Sequence, residues 1–295
     1  MKNGSLMQKK IHITGSTGYI GSLLTNYLRT AGYTVEQAGY RIPDVPKKSI
    51  DADIVIHLAT AGGGTTHKPR VGSNDPELMR RINIDGMHAL LSGIANSATK
   101  IIFFSSTAVY GKFNDSPYVT ETSLLQPVSE YGRQKMEAEI IIQNSDFDWM
   151  IFRPCGVFGP SVGDNFGNSF LNTVVANAIE QKQVTVWGGD QQIDTVYLQD
   201  VIKVVLLACG DEWHSKEVFN IGGEVVLIKD MLSIISETLS MTGLPAPLVL
   251  QPYEGKAAAI TDSTKLKTVY RSFSNTPLPF SLHSLITCFL RNIAF

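Results

Sequence analysis

The chain has few cysteines, little net charge and no long hydrophobic run. Its three cysteines, Cys155, Cys209 and Cys288, are odd in number and widely separated, which is the pattern of a reducing compartment rather than a disulfide framework. The formal net charge of −2 argues against a broad nucleic-acid surface. No stretch approaches the ~20 apolar residues of a membrane-spanning helix. We therefore expect a cytoplasmic protein that binds neither nucleic acid nor membrane.

The sequence also lacks the residue spacings typical of a metal site or of a cysteine nucleophile. The six histidines have no metal-ligand spacing with one another or with cysteine, so no metal site is predicted. His57 lies within an apolar run and is predicted to be a core residue. Cys155 has no partner at a spacing that would activate a nucleophile. The N-terminal residues lack the apolar core of a signal peptide, which agrees with a cytoplasmic location.

What the sequence does contain is a regular alternation of apolar runs and helical patterns in its first half. This alternation predicts a parallel sheet covered by helices on both faces. The predicted strands are residues 10–14, 34–38, 54–59, 101–104 and 149–152. The predicted helices are residues 19–31, a long helix over 75–96, and a helix capped by Ser129 that continues to residue 142.

A glycine turn, residues 14–21, follows the first strand and opens the first helix. Gly15 supplies the bend, Gly18 allows a pyrophosphate to approach, and Gly21 lets the helix press onto the strand. The spacing G-x-x-G-x-x-G is one residue longer in its first gap than the usual dinucleotide fingerprint, and a purely structural turn is the alternative. The residues predicted to bind the dinucleotide here are Gly15, Thr17, Gly18, Tyr19 and Ile20.

The end of the second strand bears on the choice of dinucleotide. NAD enzymes usually carry an acid there for the ribose 2′-hydroxyl, and residues 37–41 contain none. Arg41 has donors suited to a 2′-phosphate, which favours NADP over NAD. Two alternatives stay open: Glu36 lies near, and Arg41 is equally well explained as a solvated loop residue.

Beyond Arg153 the composition changes, because glycine, proline and asparagine become frequent. A helix to about residue 182, a strand over 184–187 and a helix over 200–209 follow. We predict an α/β fold: a Rossmann-type doubly wound parallel sheet with a smaller, interleaved C-terminal substrate-binding part. Residues 1–160 form the NAD(P)-binding domain. Residues 161–295 are mainly substrate-binding, and segments near 190–210 return to the Rossmann sheet.

A tyrosine and a lysine four residues apart, Tyr131 and Lys135, lie downstream of a strand that leads into Ser106. A free phenol has a pKa of ~10 and is a poor base. A nearby ammonium and an oxidised nicotinamide both favour the phenolate and lower that pKa. Positions i and i+4 share a helix face, so Tyr131 and Lys135 can act together. Ser106 would hold the substrate oxygen beside the phenol, and Lys135 would also bind the nicotinamide ribose.

Seven segments resemble the extended short-chain dehydrogenases/reductases, in particular the NAD-dependent epimerase/dehydratase family that includes UDP-galactose 4-epimerase. They are residues 14–21, 56–59, 83–86, 105–111, 131–135, 153–160 and 194–201, in family order along most of the chain. The resemblance implies that Tyr131 is the acid/base, Lys135 its partner and Ser106 the substrate-orienting hydroxyl. It also assigns further residues to the cofactor, namely Leu58, Ala59, Thr60, Asn83 and Pro154, and Thr107 to the substrate.

Two positions depart from the pattern of nucleotide-sugar enzymes. Ile193 stands where an arginine often binds the substrate diphosphate, and Gly156 stands where many members carry asparagine. Asn165, which is predicted to bind substrate, or Asn168 could replace these contacts, although loop capping explains each equally well. Residues 152–168 are loosely similar to dTDP-4-dehydrorhamnose reductase, which supports a net ketoreductase beside an epimerase.

The leading hypothesis is therefore an NAD(P)-dependent nucleotide-sugar epimerase or 4-ketoreductase that transfers hydride at a secondary hydroxyl or keto carbon. One alternative is an NADPH-dependent reductase of a small carbonyl compound without a nucleotide. Another is a non-catalytic NAD(P)-sensing module. Family members commonly dimerise through the helices that correspond to residues 129–144 and 75–96, so a homodimer is a further expectation.

Overall fold

The computed structural model describes most of the chain. The described residues are 9–39, 42, 44, 49–62, 64–65, 68–69, 75–113, 118–163, 167, 169–210, 212–244, 248–252 and 257–293. Three residues singled out from the sequence, Arg41, Asn165 and Asn168, lie outside these ranges.

The strands and helices alternate along the first half, as predicted. The strands are β1 (Lys10–Thr14), β2 (Thr34–Gln37), β3 (Ile54–His57), β4 (Gly64–Thr65), β5 (Lys68–Pro69), β6 (Lys100–Phe104), β7 (Lys112–Phe113), β8 (Tyr118–Val119), β9 (Asp148–Pro154), β10 (Gly156–Phe158), β11 (Val184–Trp187), β12 (Gln192–Tyr197), β13 (Glu217–Ile221), β14 (Glu224–Leu227), β15 (Leu248–Gln251), β16 (Ala257–Ala258) and β17 (Ile260–Thr261). The helices are α1 (Tyr19–Thr30), α2 (Pro76–Arg80), α3 (Gly86–Gly93), α4 (Glu130–Gln143), α5 (Phe170–Ile179), α6 (Leu198–Cys209), α7 (Ile228–Met241), α8 (Thr264–Val269) and α9 (Leu278–Ile293).

A central sheet of six strands, in the order β13-β9-β6-β3-β1-β2, organises the molecule. Every neighbouring pair in it is parallel. The inner strands are buried on both faces, which explains their near-continuous apolar sequences. Helices α1 and α6 cover one face through a cluster around Leu24 and Val201. Helices α3 and α4 cover the other face around Met87 and Ile142. The predicted Rossmann-type doubly wound sheet is confirmed.

The second half builds a separate hydrophobic cluster from α5, α7, α9 and the strands between them. It contains a three-stranded sheet, β10-β12-β14, and the parallel pair β11-β15. The chain crosses between the two parts more than once. Helix α6 packs on the central sheet, and β13 joins that sheet beside β9. Residues far apart in sequence therefore meet where the two parts adjoin.

The helix predicted over residues 75–96 begins as expected and runs without a break over residues 76–93, but it is not α-helical throughout. Asp75 accepts a hydrogen bond from the Leu78 amide at 2.9 Å, and Pro76 occupies the first helical position. The helix then widens into a π-helical turn over Arg81–Asp85, and α3 ends at Gly93. The long helix is therefore present as predicted, but its middle turn is π-helical, and the buried side-chain amide of Asn83 in this turn is bonded to groups outside the helix.

Two further findings bear on the general class of the protein. Within the described ranges, each helix is too short or too polar to cross a lipid bilayer. The three cysteines are free thiols, and Cys155 and Cys209 are buried.

Candidate active site

The candidate active site lies at the edge of the sheet where the parallel strands end. Gly15 follows β1, Leu58 follows β3, Ser105 follows β6, and Pro154 ends β9. Because all these strands are parallel, their carboxyl ends share one edge, which is where open α/β sheets bind ligands. The topology therefore brings together segments that the sequence separates by more than a hundred residues.

The glycine turn is tightly packed against the end of β3. Gly15 has φ +70°, and a Cβ added there would lie 2.6 Å from the backbone nitrogen of Ala59. The Gly18 amide donates to the Gly15 carbonyl at 2.9 Å and closes the turn. Gly18 and Thr17 are exposed at the start of α1, and Gly18 has no side chain with which to cap that helix. These are the features of a helix N-terminus that can accept an anion, so the turn fits a pyrophosphate.

Gly21 serves a purpose different from the one predicted. A Cβ added at Gly21 would lie 2.1 Å from the carbonyl oxygen of Gly15. The missing side chain therefore lets α1 fold back onto the glycine turn itself rather than onto the strand. This contact makes Gly21 part of the turn's internal packing.

A second set of predicted cofactor residues follows β3. Leu58, Ala59 and Thr60 are half-buried, and the Leu58 amide donates to the Thr14 carbonyl at 3.2 Å. The side-chain oxygen of Asn83, Oδ1, accepts hydrogen bonds from the Thr60 hydroxyl at 3.0 Å and from the Ala61 amide at 2.8 Å. The amide nitrogen of Asn83 donates to the Ala61 carbonyl. Asn83 thus holds the shape of the 58–61 segment.

Asn83 also connects this segment to α4. Its amide nitrogen donates to the side-chain oxygen of Gln134 at 2.9 Å, and Gln134 is bonded in turn to Glu130. Gln134 was not singled out from the sequence, because a glutamine between Tyr131 and Lys135 has no distinguishing pattern. The bond links the cofactor-side loop to the helix that carries the tyrosine and lysine.

Lys135 is a buried lysine with defined contacts at the sheet edge. Its Nζ donates to the Phe104 carbonyl at 2.7 Å and lies 4.8 Å from the centre of the Phe103 ring. The same nitrogen lies 5.8 Å from the centre of the half-buried Tyr131 ring. The predicted pairing of these two side chains on one helix face therefore agrees with the geometry of α4.

Ser106 opens the short 3-10 turn Thr107–Val109, which lies directly against the start of α4. The Ser106 hydroxyl accepts from the Ala108 amide at 3.2 Å, and both Ser106 and Thr107 are half-buried. A Cβ added at Gly132 would lie 2.5 Å from the Ala108 carbonyl oxygen. Gly132 follows Tyr131 in sequence, so this close approach brings the tyrosine to the turn that begins at Ser106. The sequence contained this signal, a glycine beside the tyrosine, but its role was not predicted.

Two other ionisable residues near this edge, His57 and Cys155, are held in their neutral forms. Burial and the nearby Lys135 ammonium lower the pKa of His57 to about 3. The neutral His57 ring contacts the Thr14 hydroxyl at 2.6 Å and stacks on Phe103, which agrees with the predicted core role. Burial raises the pKa of the Cys155 thiol well above its usual value, and the negative charge of Asp194 adds to this effect. The thiol is therefore held protonated. Among the described residues, no group of three His, Cys, Asp or Glu side chains is placed to hold a metal ion.

The end of β2, which bears on the choice between NAD and NADP, carries Gln37 as its last residue and Glu36 before it. The Ala38 amide that follows is bonded to Ile13 of β1. Glu36, the alternative acid, lies inside the strand and pairs with Lys10 at 3.4 Å. The Lys10 contact gives Glu36 a structural explanation that does not involve a ribose.

The segment after β10 lies over the start of α1. The Tyr19 hydroxyl donates to the Gly159 carbonyl at 2.6 Å and accepts from Asn172 at 3.1 Å. Asn172 also accepts from the Gly159 amide at 3.0 Å, and the Ser161 hydroxyl donates to the Tyr19 carbonyl at 2.6 Å. A Cβ added at Gly167 would lie 2.9 Å from the Tyr19 ring. We refer to Tyr19, Gly159, Ser161, Gly167 and Asn172 as the α1 clamp.

The two departures from the nucleotide-sugar pattern have different surroundings. Ile193 is half-buried, pairs with Val226 across β12 and β14, and packs against the second hydrophobic cluster. Gly156 is exposed, and a Cβ added there would make only ordinary contacts, the nearest being 3.8 Å from the Asp194 carbonyl oxygen. Ile193 therefore has a packing role, whereas position 156 has space for a side chain.

Comparison with known proteins agrees with this description. The chain is 27% identical over 317 residues to UDP-glucose 4-epimerase 4 of Oryza sativa subsp. japonica, covering 88% of this chain and 84% of the rice protein. The fold resembles UDP-glucuronic acid 4-epimerase of Bacillus cereus, solved with UDP-glucuronic acid and NAD, with a TM-score of 0.80, 23% identity and coverage of 96% and 99%. It also resembles RMD of Pseudomonas aeruginosa, solved with NADPH, with a TM-score of 0.76, 19% identity and coverage of 97% and 100%.

The doubly wound sheet and the family model define the class: this is an enzyme of the extended short-chain dehydrogenase/reductase type. Residues 11–222 match the model of the NAD dependent epimerase/dehydratase family. The chain therefore belongs to that family.

Proposed function

We propose that this chain is an NAD(P)-dependent epimerase or 4-ketoreductase of a nucleotide-linked sugar. The observation that carries the proposal is the position of Lys135, which is buried, bonded to the Phe104 carbonyl and 5.8 Å from the Tyr131 ring centre. Ser106 begins the turn against which this helix packs. The rice UDP-glucose 4-epimerase, similar over 88% of this chain, supports the choice of a nucleotide sugar as substrate.

In this proposal Tyr131 is the residue that moves the proton. A nicotinamide dinucleotide held by the glycine turn and the 58–61 segment would supply a hydride acceptor for oxidation and a hydride donor for reduction. Tyr131 takes the proton of the secondary hydroxyl during oxidation and returns it during reduction. The Lys135 ammonium favours the phenolate, and Ser106 orients the substrate oxygen. In an epimerase both directions occur within one turnover, whereas a ketoreductase uses only the second.

The glycine turn supports a dinucleotide, and we propose that Gly15, Thr17, Gly18, Tyr19 and Ile20 hold its pyrophosphate. Leu58, Ala59, Thr60, Asn83 and Pro154 are proposed to line the same site, with Asn83 acting by shaping the 58–61 segment. The choice of NADP over NAD rests on Arg41 and on the end of β2, where the last residue is Gln37 and the preceding acid, Glu36, is paired with Lys10. Similar folds have been solved with NAD and with NADPH, so the fold alone does not select one.

The test combines native mass spectrometry with a turnover assay. We expect purified protein to bind a nicotinamide dinucleotide and to convert at least one member of a panel of UDP- and dTDP-linked hexoses and 4-keto sugars. Retained NAD with no net change in absorbance at 340 nm identifies an epimerase. An empty site that fills preferentially with NADPH, which is then consumed, identifies a ketoreductase. No binding of either dinucleotide would refute the proposal.

A second candidate is an NADPH-dependent reductase of a small carbonyl compound without a nucleotide. It is favoured by the packed position of Ile193 and the missing side chain at Gly156, since this chain lacks the arginine and the asparagine that nucleotide-sugar enzymes often carry at these positions. UDP and dTDP that fail to raise the melting temperature, together with consumption of NADPH by a small ketone, would support this candidate.

The α1 clamp leads to a prediction about cofactor release. Tyr19→Phe removes a hydroxyl that donates to Gly159 and accepts from Asn172, so we expect the segment over α1 to open more often. Losing such a buried hydrogen bond costs about 1–2 kcal/mol, which corresponds to roughly 5–30-fold faster dinucleotide release. Stopped-flow displacement of the bound dinucleotide measures this rate. Tyr27→Phe, on the exposed side of α1, is the matched control, and equal rates in the two variants would contradict the prediction.

We also propose the division of labour predicted from the sequence. Residues 1–160 would bind the cofactor and residues 161–295 mainly the substrate, with the predicted return to the central sheet near residues 190–210 made by α6. Asn165 and Thr107 would contact substrate. A cytoplasmic location agrees with three free thiols. A homodimer through α4 agrees with the exposure of Ile140 on that helix.

A further inference from the structure

A buried ion pair lies behind the candidate catalytic residues. Glu139 is on α4, and Arg153 is near the end of β9. The Arg153 guanidinium donates through Nε to Glu139 Oε1 at 2.9 Å and through Nη2 to Oε2 at 2.6 Å. Only 4% of the arginine side chain and 2% of the glutamate side chain are exposed. The two parallel bonds form a fork whose geometry fixes both side chains.

The remaining nitrogen of Arg153 extends the contact to Tyr110, which directly follows the 3-10 turn Thr107–Val109. Arg153 Nη1 donates to the Tyr110 hydroxyl at 2.9 Å, and the guanidinium lies 5.1 Å from the Tyr110 ring centre. The Tyr110 hydroxyl donates to the Asn220 side chain of β13 at 2.7 Å. Arg153 Nη1 also approaches the Glu121 carbonyl at 3.3 Å. The arginine is therefore held from several sides and cannot move without breaking this network.

The spacing of residues on α4 relates this pair to the chemistry. Tyr131, Lys135 and Glu139 follow one another at intervals of four residues, so they share a face of the helix, with a rise of ~6 Å between successive members. Lys135 attaches this face to β6 through the Phe104 carbonyl, and Glu139 attaches it to β9 through Arg153. Two directional attachments to adjacent strands determine both the rotation of the helix and its position along its axis.

Stability alone gives little reason for an ion pair at this place. Burial disfavours the charge on Arg153, although the hydrogen bonds and charge of Glu139 outweigh this effect and raise the pKa of the guanidinium above its usual value. Neighbouring positions on the same faces, such as Ala138, Ile142 and Ile151, are filled by apolar side chains that pack well. A buried ion pair is often no more stabilising than an apolar pair of similar volume. Apolar contacts, however, are non-directional and do not determine the register of a helix.

We propose that Glu139 and Arg153 are positioning residues, which hold α4 at the height and rotation that present Tyr131 to the substrate beside Ser106. The inference rests on the proposed function of Tyr131 and Lys135. It predicts that the pair affects the rate of the chemical step more than substrate binding, because a displacement of the phenol by ~1 Å can reduce a rate ~100-fold.

The test replaces both partners at once, so that no charge remains buried and unpaired. We expect Glu139→Met/Arg153→Met to fold and to bind the dinucleotide, with KM within about threefold of the wild-type value and kcat reduced ~100-fold. The substrate is the sugar nucleotide that the wild-type protein converts in the panel described above. Hydrogen exchange of the α4 amides supplies a readout independent of turnover, and exchange over residues 131–136 should be faster in the double variant.

The same helix provides a matched control. Arg80 and Glu137 form a fork with bonds of 2.8 and 2.7 Å between α2 and α4, but this pair is exposed and lies outside the proposed site. Arg80→Met/Glu137→Met should leave kcat within about twofold, because an exposed ion pair contributes little. A Glu139→Met/Arg153→Met variant whose kcat and amide exchange equal those of this control would overturn the inference.

Two further variants complete the design. If the buried double variant does not fold, Arg153→Lys retains the charge but cannot form the fork, and we expect kcat to fall ~10-fold at unchanged KM. Wild-type kcat in Arg153→Lys would overturn the inference. Tyr131→Phe is measured in parallel: if it remains fully active, the proposed function fails and this inference with it. An inactive Tyr131→Phe with a fully active Glu139→Met/Arg153→Met refutes the positioning role alone.

Discussion

Replacing Tyr131 by phenylalanine is expected to reduce kcat by about 10²–10⁴-fold, the usual contribution of a general acid/base. The substitution removes only the hydroxyl, so the aromatic ring that lies 5.8 Å from the Lys135 ammonium is retained. Dinucleotide affinity and KM should therefore change little. Steady-state turnover of the sugar nucleotide identified in the panel, together with the melting temperature, measures the effect.

Tyr118→Phe is the matched control, since Tyr118 is an exposed tyrosine on β8 that belongs to neither proposed binding site. It should retain wild-type kcat. If Tyr131→Phe also retains it, proton transfer by Tyr131 is refuted. A loss of kcat accompanied by an equal loss of folded protein would instead show that the hydroxyl is structural.

The second large effect is expected at the glycine turn. Gly15→Ala forces a residue with a side chain to adopt φ +70° and places its Cβ 2.6 Å from the Ala59 nitrogen, which belongs to the backbone and cannot rotate away. The left-handed conformation costs about 1–2 kcal/mol and the overlap a further 1–3, so the free energy of unfolding should fall by about 2–5 kcal/mol. Because the turn must shift to relieve the overlap, we also expect dinucleotide binding to be lost. Urea unfolding and calorimetric titration measure the two quantities.

The variant Gly32→Ala separates the cost of the left-handed backbone conformation from the cost of the contact with Ala59. Gly32 also has positive φ, +93°, but a Cβ added there meets nothing within 4 Å. Gly32→Ala should therefore lose only about 1–2 kcal/mol and bind the dinucleotide normally. The two residues lie at opposite ends of α1, so an effect on binding in Gly32→Ala would not come from the turn. Equal losses of stability in the two variants would mean that the contact with Ala59 contributes nothing.

Much of the central sheet was predictable because its strands are buried on both faces. The near-continuous apolar runs of β1, β3, β6 and β9 distinguish them from the amphipathic helices between them. The caps at Ser129 and Asp75 were also predictable, because each side chain bonds an amide three residues away. Local chemistry of this kind needs no knowledge of the rest of the fold.

The π-helical turn at Arg81–Asp85 could not be predicted in this way. The partners of the Asn83 amide, Ala61 and Gln134, lie 22 and 51 residues away in sequence. Periodicity reports which face of a helix is apolar, but it contains no information on a distant backbone group that a buried amide must satisfy. The same limitation concealed the bond between Tyr19 and Asn172, which are 153 residues apart.

The sequence by itself determined the class of fold and the order of its functional segments, since strand burial, helix caps and a glycine turn are local properties of consecutive residues. It also determined that Tyr131, Lys135 and Glu139 share one face of a helix, because four-residue spacing has that result in any α-helix. Only the tertiary structure decided what that face contacts. Lys135 meets the Phe104 carbonyl and Glu139 meets Arg153 because parallel pairing places β6 and β9 side by side beneath α4. Which distant residues contact each other depends on the packing of whole strands, and no short stretch of sequence determines it.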